Sequence, residues 1–321
     1  MVAFAHMSRN TLGAIAAVTS SLCFSVNDAT VKFMSGDFSL PQMMFLRSII
    51  AIAVILFVLA PFERQKLSLR GSRQGVLIVR GLLMVLANLF FFLGIAILPI
   101  ADTVGIFFIC PLMILAMSVV FLGETAGPRR WSAVGIGLIG VLIMLRPGGE
   151  GFQIAFLLPL IAAACYAILQ VMTRAIGDAV TATTMSLYLQ LTFFVIMGAM
   201  GIAFGAGQYD GMGGELFAFL LRPWIWPVMS DLPLFLIIGV ATAGSNYFVS
   251  QAYRLGEASL VAPLEYVALP MGVMFGVVIF GDWPSVNSWV GMILIVGAGL
   301  FVVWRESLAA QSPDRHPPRP Q

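Results

Sequence analysis

Ser21-Leu-Cys-Phe-Ser-Val-Asn-Asp-Ala-Thr-Val-Lys32 lies without a gap over Ala163-Ala-Cys-Tyr-Ala-Ile-Leu-Gln-Val-Met-Thr-Arg174. Cys23 meets Cys165, Asp28 meets Gln170, and Lys32 meets Arg174. Further on, Phe121-Leu-Gly-Glu124 matches Ile279-Phe-Gly-Asp282. Each is followed by a Pro-containing turn, a Trp (Trp131, Trp289) and a Gly-rich last helix. Each match is weak alone, but their common order in both halves makes chance a poor explanation. The chain reads as one unit used twice.

Composition says what solvent that unit faces. Apolar residues make up 60% of the 321 residues, leaving out 32 glycines, and charged residues only 10%. Soluble domains sit near ~45–50% apolar with Gly included and carry ~25% charged residues. A compact domain in water must cover its outside with polar side chains, so the solvent here is lipid. A span needs ~20 mostly apolar residues to cross ~30 Å of hydrocarbon. Apolar runs between charge and turn signals give ten of them: 11–34, 41–60, 74–98, 101–122, 131–146, 153–176, 182–206, 232–254, 259–280 and 286–304. The expected fold class is therefore an all-α integral membrane protein with ten transmembrane helices.

Details support that reading. Trp131 and Arg146 flank the short fifth run and suit the headgroup level. Residues 11–34 are too long for a signal-peptide core and hold Asn27, Asp28 and Lys32, so they read as a retained span. The connection 208–231 carries Leu216-Phe-Ala-Phe-Leu-Leu and Pro223-Trp-Ile-Trp-Pro; it is too short and Pro-broken to span, and reads as interfacial. The tail 305–321, with four prolines, reads as a disordered cytoplasmic segment.

Lys and Arg set the orientation. With a cytoplasmic N-terminus, Arg9, Arg64, Lys66, Arg70, Arg73, Arg80, Arg129, Arg130, Arg174, Arg254, Arg305, Arg315 and Arg319 fall inside. Only Lys32, Arg47, Arg146 and Arg222 fall outside. The positive-inside rule then places both termini in the cytoplasm. Five spans per half is an odd number, so the halves 11–146 and 153–304 must be inverted relative to one another. Secondary transporters are built this way, with the solute site near the midplane between repeats.

Leu98-Pro-Ile-Ala-Asp-Thr103, the Pro111-Leu step, Phe121-Leu-Gly-Glu124 and Leu145-Arg-Pro-Gly148 resemble the first repeat of the drug/metabolite transporter superfamily, EamA-domain type. Ala252-Tyr-Arg-Leu-Gly-Glu-Ala-Ser259 and Ala262-Pro-Leu-Glu-Tyr266 resemble its second repeat. The resemblance runs from about Thr11 to Trp304. It implies two inverted five-helix repeats, a central cavity, and transport of small organic solutes across a bacterial cytoplasmic (inner) membrane. Export is the direction commoner in the family; import of a metabolite or cofactor is the alternative. Asp28 with Lys32 makes the first span more charged than a generic member's.

A charge in hydrocarbon costs at least ~2.5–3.5 kcal/mol, so ionisable groups inside spans carry the search for a site. Ser21, Ser25, Asp28 and Lys32 stack on one face of the first helix. That stripe either lines the pathway, or holds an Asp28–Lys32 pair that locks one helix while Lys32 snorkels outward. Its repeat partner carries Ala163, Ala167, Gln170 and Arg174 at the same spacing, and Gln170 can bond a solute or a neighbouring helix. Glu265 stands between Pro263 and Pro270, where freed carbonyls and a bend suit a cavity wall. Desolvation favours the neutral form of a carboxyl, which makes Glu265 a candidate proton carrier; the rival reading pairs it with Arg47 or Lys32. Asn88 and Asn246 occupy the third span of each half and, with Tyr166 and Gln251, are candidate solute contacts or interhelical bonds. Tyr266 is adjacent to Glu265 but points elsewhere. Glu124 and Asp282 sit at membrane edges, as anchors. Phe90-Phe-Phe92 and Phe107-Phe108 read as lipid-facing or packing residues, relevant only to an aromatic solute.

Other classes fit less well. His6 and His316 lie in the polar ends, and Cys23, Cys110 and Cys165 read as buried free thiols. No His-rich metal set, Ser/Lys or paired-Asp arrangement speaks for an embedded enzyme, and no G-x-x-x-x-G-K-[S/T] speaks for ATP drive. A channel would more usually form its pore from identical subunits. The expected partners are a small-molecule solute, the bilayer and, through Asp28 or Glu265, protons; no cofactor, metal or nucleic acid is expected.

Overall fold

The computed structural model describes residues 9–62, 73–123, 128–145, 154–209, 214–256 and 261–310. Every regular element among them is helical. In chain order these are α1 (Arg9–Met34), α2 (Leu40–Val54), α3 (Gln74–Ile97), α4 (Ile100–Phe107), α5 (Cys110–Leu122) and α6 (Pro128–Leu145). They continue with α7 (Leu157–Ile176), α8 (Ala182–Phe204), α9 (Gly214–Leu221), α10 (Leu232–Leu255), α11 (Ala268–Phe280) and α12 (Val286–Ala310). Among the described residues, seven segments are long and apolar enough to cross a membrane by length and composition. Trp131–Leu145, Leu264–Phe280 and Val286–Ala298 are shorter apolar helices. Outward-facing Ile202, Val278, Phe121 and Phe57 are all well exposed, the mark of a surface solvated by lipid.

Two spans read as continuous from sequence are broken. Pro111 has no N–H for the carbonyl one turn back. The chain accordingly turns at Phe108–Ile109, their N–H groups donating to Val104 and Ile106 carbonyls at 3.0 and 3.1 Å. In the second half, Ala262–Val267 is a 3-10 turn with a proline in its first turn, leading into α11. Both broken spans end alike: α5 on Gly123 at φ 69° and α11 on Gly281 at φ 70°. Glycine is the residue that takes this left-handed conformation without a Cβ penalty.

Packing between the halves is reciprocal. The first helix of each half lies against the third helix of the other, α1 on α10 and α3 on α7. Likewise the first meets the broken fourth span of the other, α1 on residues 262–267 and α11, α7 on α5. α2 meets α8 and α6 meets α12. At that last seam a Cβ on Gly291 would sit 2.6 Å from the Gly140 carbonyl oxygen, so the backbones touch. Close approach of this kind holds helices together where no hydrophobic effect operates between them. Gly291→Leu is therefore expected to destabilise the purified protein by about 1–3 kcal/mol. An unchanged thermal midpoint would show that the seam tolerates spreading.

Some expectations need amendment. Arg80, counted with the cytoplasmic charges, is not at a membrane surface: it lies in α3, is 1% exposed and faces α7. α12 continues to Ala310, past the expected end at 304. Within the 208–231 connection, Gly214–Leu221 is α9 and 223–228 is irregular; there Trp224 packs on Phe45 while Trp226 is 92% exposed. Glu124, Arg146, both histidines and residues 311–321 lie outside the described residues.

Candidate functional site

A cavity of roughly 870 Å³ free of protein atoms, part of it open to the outside, is walled by α1, α2, α3, α4, α7, α10, the turn leading into α11 and the start of α11. Both halves contribute walls. The broken spans matter here, because interrupted helices at membrane depth survive where they border a cavity.

One pole of the cavity is built around Arg47 of α2, which is 2% exposed. Its Nη1 donates to Asn27 Oδ1 at 3.1 Å and its Nη2 to Asn88 Oδ1 at 2.6 Å. The guanidinium also stands over the rings of Phe92, at 5.7 Å, and Phe193, at 5.1 Å. Asn27 Oδ1 accepts from the Thr242 hydroxyl as well, at 2.9 Å, and Asn27 Nδ2 donates to Asp28 Oδ1 at 3.1 Å. One network thus ties α1, α2, α3 and α10 around a cation held by neutral oxygens and π faces. Asp28, bonded to Asn27, is the carboxylate that accompanies this cation, and Arg47 Nε, without a partner among the described residues, leaves this pole able to take a polar group from a solute. Asn246 donates to the Thr242 carbonyl at 2.8 Å, and its Oδ1 has no partner among the described residues. Ser25 donates back to Ser21 O at 2.9 Å, leaving its lone pairs to the cavity.

The other pole is acidic and aromatic. Glu265, 8% exposed, comes from the 3-10 turn, where the broken backbone aims it inward. Tyr166 Oη donates to Glu265 Oε1 at a long 3.5 Å. Phe24 meets the Tyr166 ring edge-on at 6.3 Å and Phe107 at 5.5 Å; Phe91 extends the wall beyond Phe107 at 5.0 Å.

Of the ten residues singled out from sequence, Ser25, Asp28, Arg47, Asn88, Tyr166, Asn246 and Glu265 line this cavity. Lys32, Gln170 and Gln251 do not. The Asp28–Lys32 pair is not formed: Lys32 Nζ reaches Asp282 Oδ2 at 2.7 Å and covers the Phe280 ring at 4.8 Å. Gln170 is buried on the α7 face toward α3, and Gln251 donates to Tyr247 Oη at 3.1 Å. Glu265 is paired with neither Arg47 nor Lys32. Phe91, Phe92 and Phe108 are core residues with Phe90 and Phe107 packed against them, as the packing reading expects, and Phe91, Phe92, Phe107 and Phe108 also form cavity wall. Phe91 and Phe92 follow Asn88 by three and four residues and so share its helix face. Asn27 and Thr242 were missed. The adjacent polar pair Asn27-Asp28 inside a span was the available signal, since it demands a polar face about 100° wide. Among the described residues, no group of three His, Cys, Asp or Glu could hold a metal ion.

Residues 11–146 match the EamA-like transporter family. A riboflavin transporter from Rhizobium johnstonii is 30% identical over 220 residues, covering 68% of this chain and 67% of that protein. An S-adenosylmethionine uptake transporter from Rickettsia felis is 26% identical over 286 residues, 89% of this chain and 90% of its own. A solved crystal structure aligns with 95% of this chain and 98% of its own at a TM-score of 0.61 and 20% identity, a likeness of fold alone. The family match over 11–146, joined to similarity over two thirds or more of the chain to named transporters, leaves one assignment: the chain belongs to the EamA-like transporter family.

Proposed function

We propose that this chain imports a small ring-bearing metabolite by alternating access between two inverted five-helix repeats, 11–146 and 153–304. The observation that carries the reading is the central cavity, with a cationic pole at Arg47 and an acidic pole at Glu265 joined by an aromatic wall. The reciprocal packing of first on third and first on fourth spans supports the inverted repeat. It also supports ten membrane crossings, the shorter apolar helices making up the number. Lys and Arg counts support both termini in the cytoplasm of a bacterial cell.

Import replaces the expected export because one relative is named for uptake. A flat ring stacks between Phe24, Phe91, Phe107 and Tyr166, while its polar edges meet Arg47, Asn88 and Asn246. Riboflavin and S-adenosylmethionine are the first solutes to try. Asp28 or Glu265 carries the coupling proton, or takes a cationic group of the solute directly.

The test is accumulation of labelled riboflavin and labelled S-adenosylmethionine in bacterial cells expressing the chain. One of the two is expected to accumulate above the vector control, with the other as competitor only at excess. Faster loss of preloaded label with no accumulation would establish export and sink the import reading.

A further inference from the structure

Arg80 is the second guanidinium buried in this bundle, and the central cavity does not include it. It is 1% exposed, so neither water nor a lipid headgroup reaches it in this state. Its Nε donates to Thr173 Oγ1 at 3.0 Å, and Nη1 has no partner among the described residues. Gln170, one turn before Thr173 on α7 and equally buried, has Tyr166 as its polar neighbour and makes no hydrogen bond of ordinary geometry from either amide atom among the same residues. Next to Arg80, a Cβ on Gly81 would lie 2.2 Å from Thr192 Oγ1, so α3 sits tight against α8 as well. A buried cation with an unpaired nitrogen, one helical turn along α7 from an under-bonded amide, is expensive to keep for structure alone.

Position suggests what the expense is for. Tyr166, Gln170 and Thr173 are spaced i, i+4 and i+7 on α7 and form one stripe. The stripe begins at the cavity wall with Tyr166 and ends at Arg80. Beyond it, Arg73 donates to the Ile176 carbonyl at 3.2 Å and closes the seam between α3 and α7 at that end.

We propose that Arg80, Gln170 and Thr173 form a second station on the solute path, one that binds an oxyanion, a carboxylate or a phosphate, when the α3–α7 seam opens. The guanidinium fork suits two oxygens of one anion, the Gln170 amide donates a third bond, and Thr173 Oγ1 holds the fork in place. A solute leaving the central cavity toward the ends of α7 and α10 would pass its anionic group here. This inference rests on the transport reading for the word path, but the binding of an anion can be tested without transport.

The probes are inorganic phosphate and acetate, each compared with chloride at equal ionic strength, on the purified full-length protein. An anion that binds the folded state raises the thermal midpoint with its concentration. Phosphate or acetate is expected to raise the midpoint where chloride does not, and the larger shift names the preferred oxyanion. The shift is expected to vanish in Arg80→Gln, to shrink in Gln170→Leu and to persist in Arg80→Lys. A full shift in Arg80→Gln, or no shift in the intact protein, overturns the proposal. If Arg80→Gln fails to fold, Gln170→Leu decides: a full shift there also overturns it. Because no transport is measured, failure of the solute assignment leaves this result readable.

Discussion

Glu265→Gln is expected to leave a folded protein in the membrane whose solute uptake falls by about tenfold or more. Hydrogen bonds to charged groups contribute about 1.5–3 kcal/mol, which sets that scale. Gln fills the same space, so the wall formed with Tyr166 is kept and the loss falls on charge and protonation. If Glu265 is the proton carrier, the residual flux in Glu265→Gln no longer responds to an imposed proton gradient. Asp28→Asn separates the two carboxylates, since Asp28 belongs to the Arg47 network and Glu265 to the aromatic pole. Uptake by Glu265→Gln at the intact rate, with the gradient response unchanged, would remove Glu265 from the mechanism.

Lys32→Glu is expected to open one end of the bundle. At that end Lys32 pairs with Asp282, linking the end of α1 to the residue after Gly281. Three further links cross between the halves there. Arg222 donates to the Ser35 and Gly36 carbonyls at 3.0 and 2.6 Å, Ser288 donates to Asp102, and Gln42 bonds the Ile225 backbone. A partly exposed ion pair alone contributes little to stability. A conformational balance is more sensitive, because about 1.4 kcal/mol shifts it tenfold. Reversing Lys32 sets two like charges against each other where the closed state brings them together. In a chain whose three native cysteines are replaced by serine, a Ser25→Cys reporter should then label several-fold faster with a membrane-impermeant thiol reagent. The paired reversal, Lys32→Glu with Asp282→Lys, should return labelling and uptake toward the intact values. Equal labelling in all three chains would mean that the pair plays no part in closing this end.

The spans were legible because lipid leaves no choice: an apolar run bounded by charge and turn residues has one stable use at this length. The matching glycine ends of α5 and α11 show why Gly123 and Gly281 recur in the sequence. The cavity-lining carboxylates Asp28 and Glu265 stood out in the sequence through the cost of placing a charge inside a span. What stayed hidden depends on partners far away in sequence. Nothing near Lys32 points to Asp282 over Asp28, and nothing near Arg47 reveals that Asn27 and Asn88 converge on it. Arg80 was counted among the cytoplasmic charges because a charge two turns into a helix looks, in sequence, like one at its edge. The phenylalanines were assigned to lipid or packing because an apolar side chain reads the same on a cavity wall as on an outer face.

The central claim is that this cavity carries a solute across the membrane by way of its carboxylates. Its most direct test is an untargeted comparison of intracellular and extracellular metabolites in cells expressing the intact chain or the Asp28→Asn, Glu265→Gln double variant. One compound class should move inward with the intact chain and stay put with the variant. A distribution identical in both, or the same shift in both, would contradict the account.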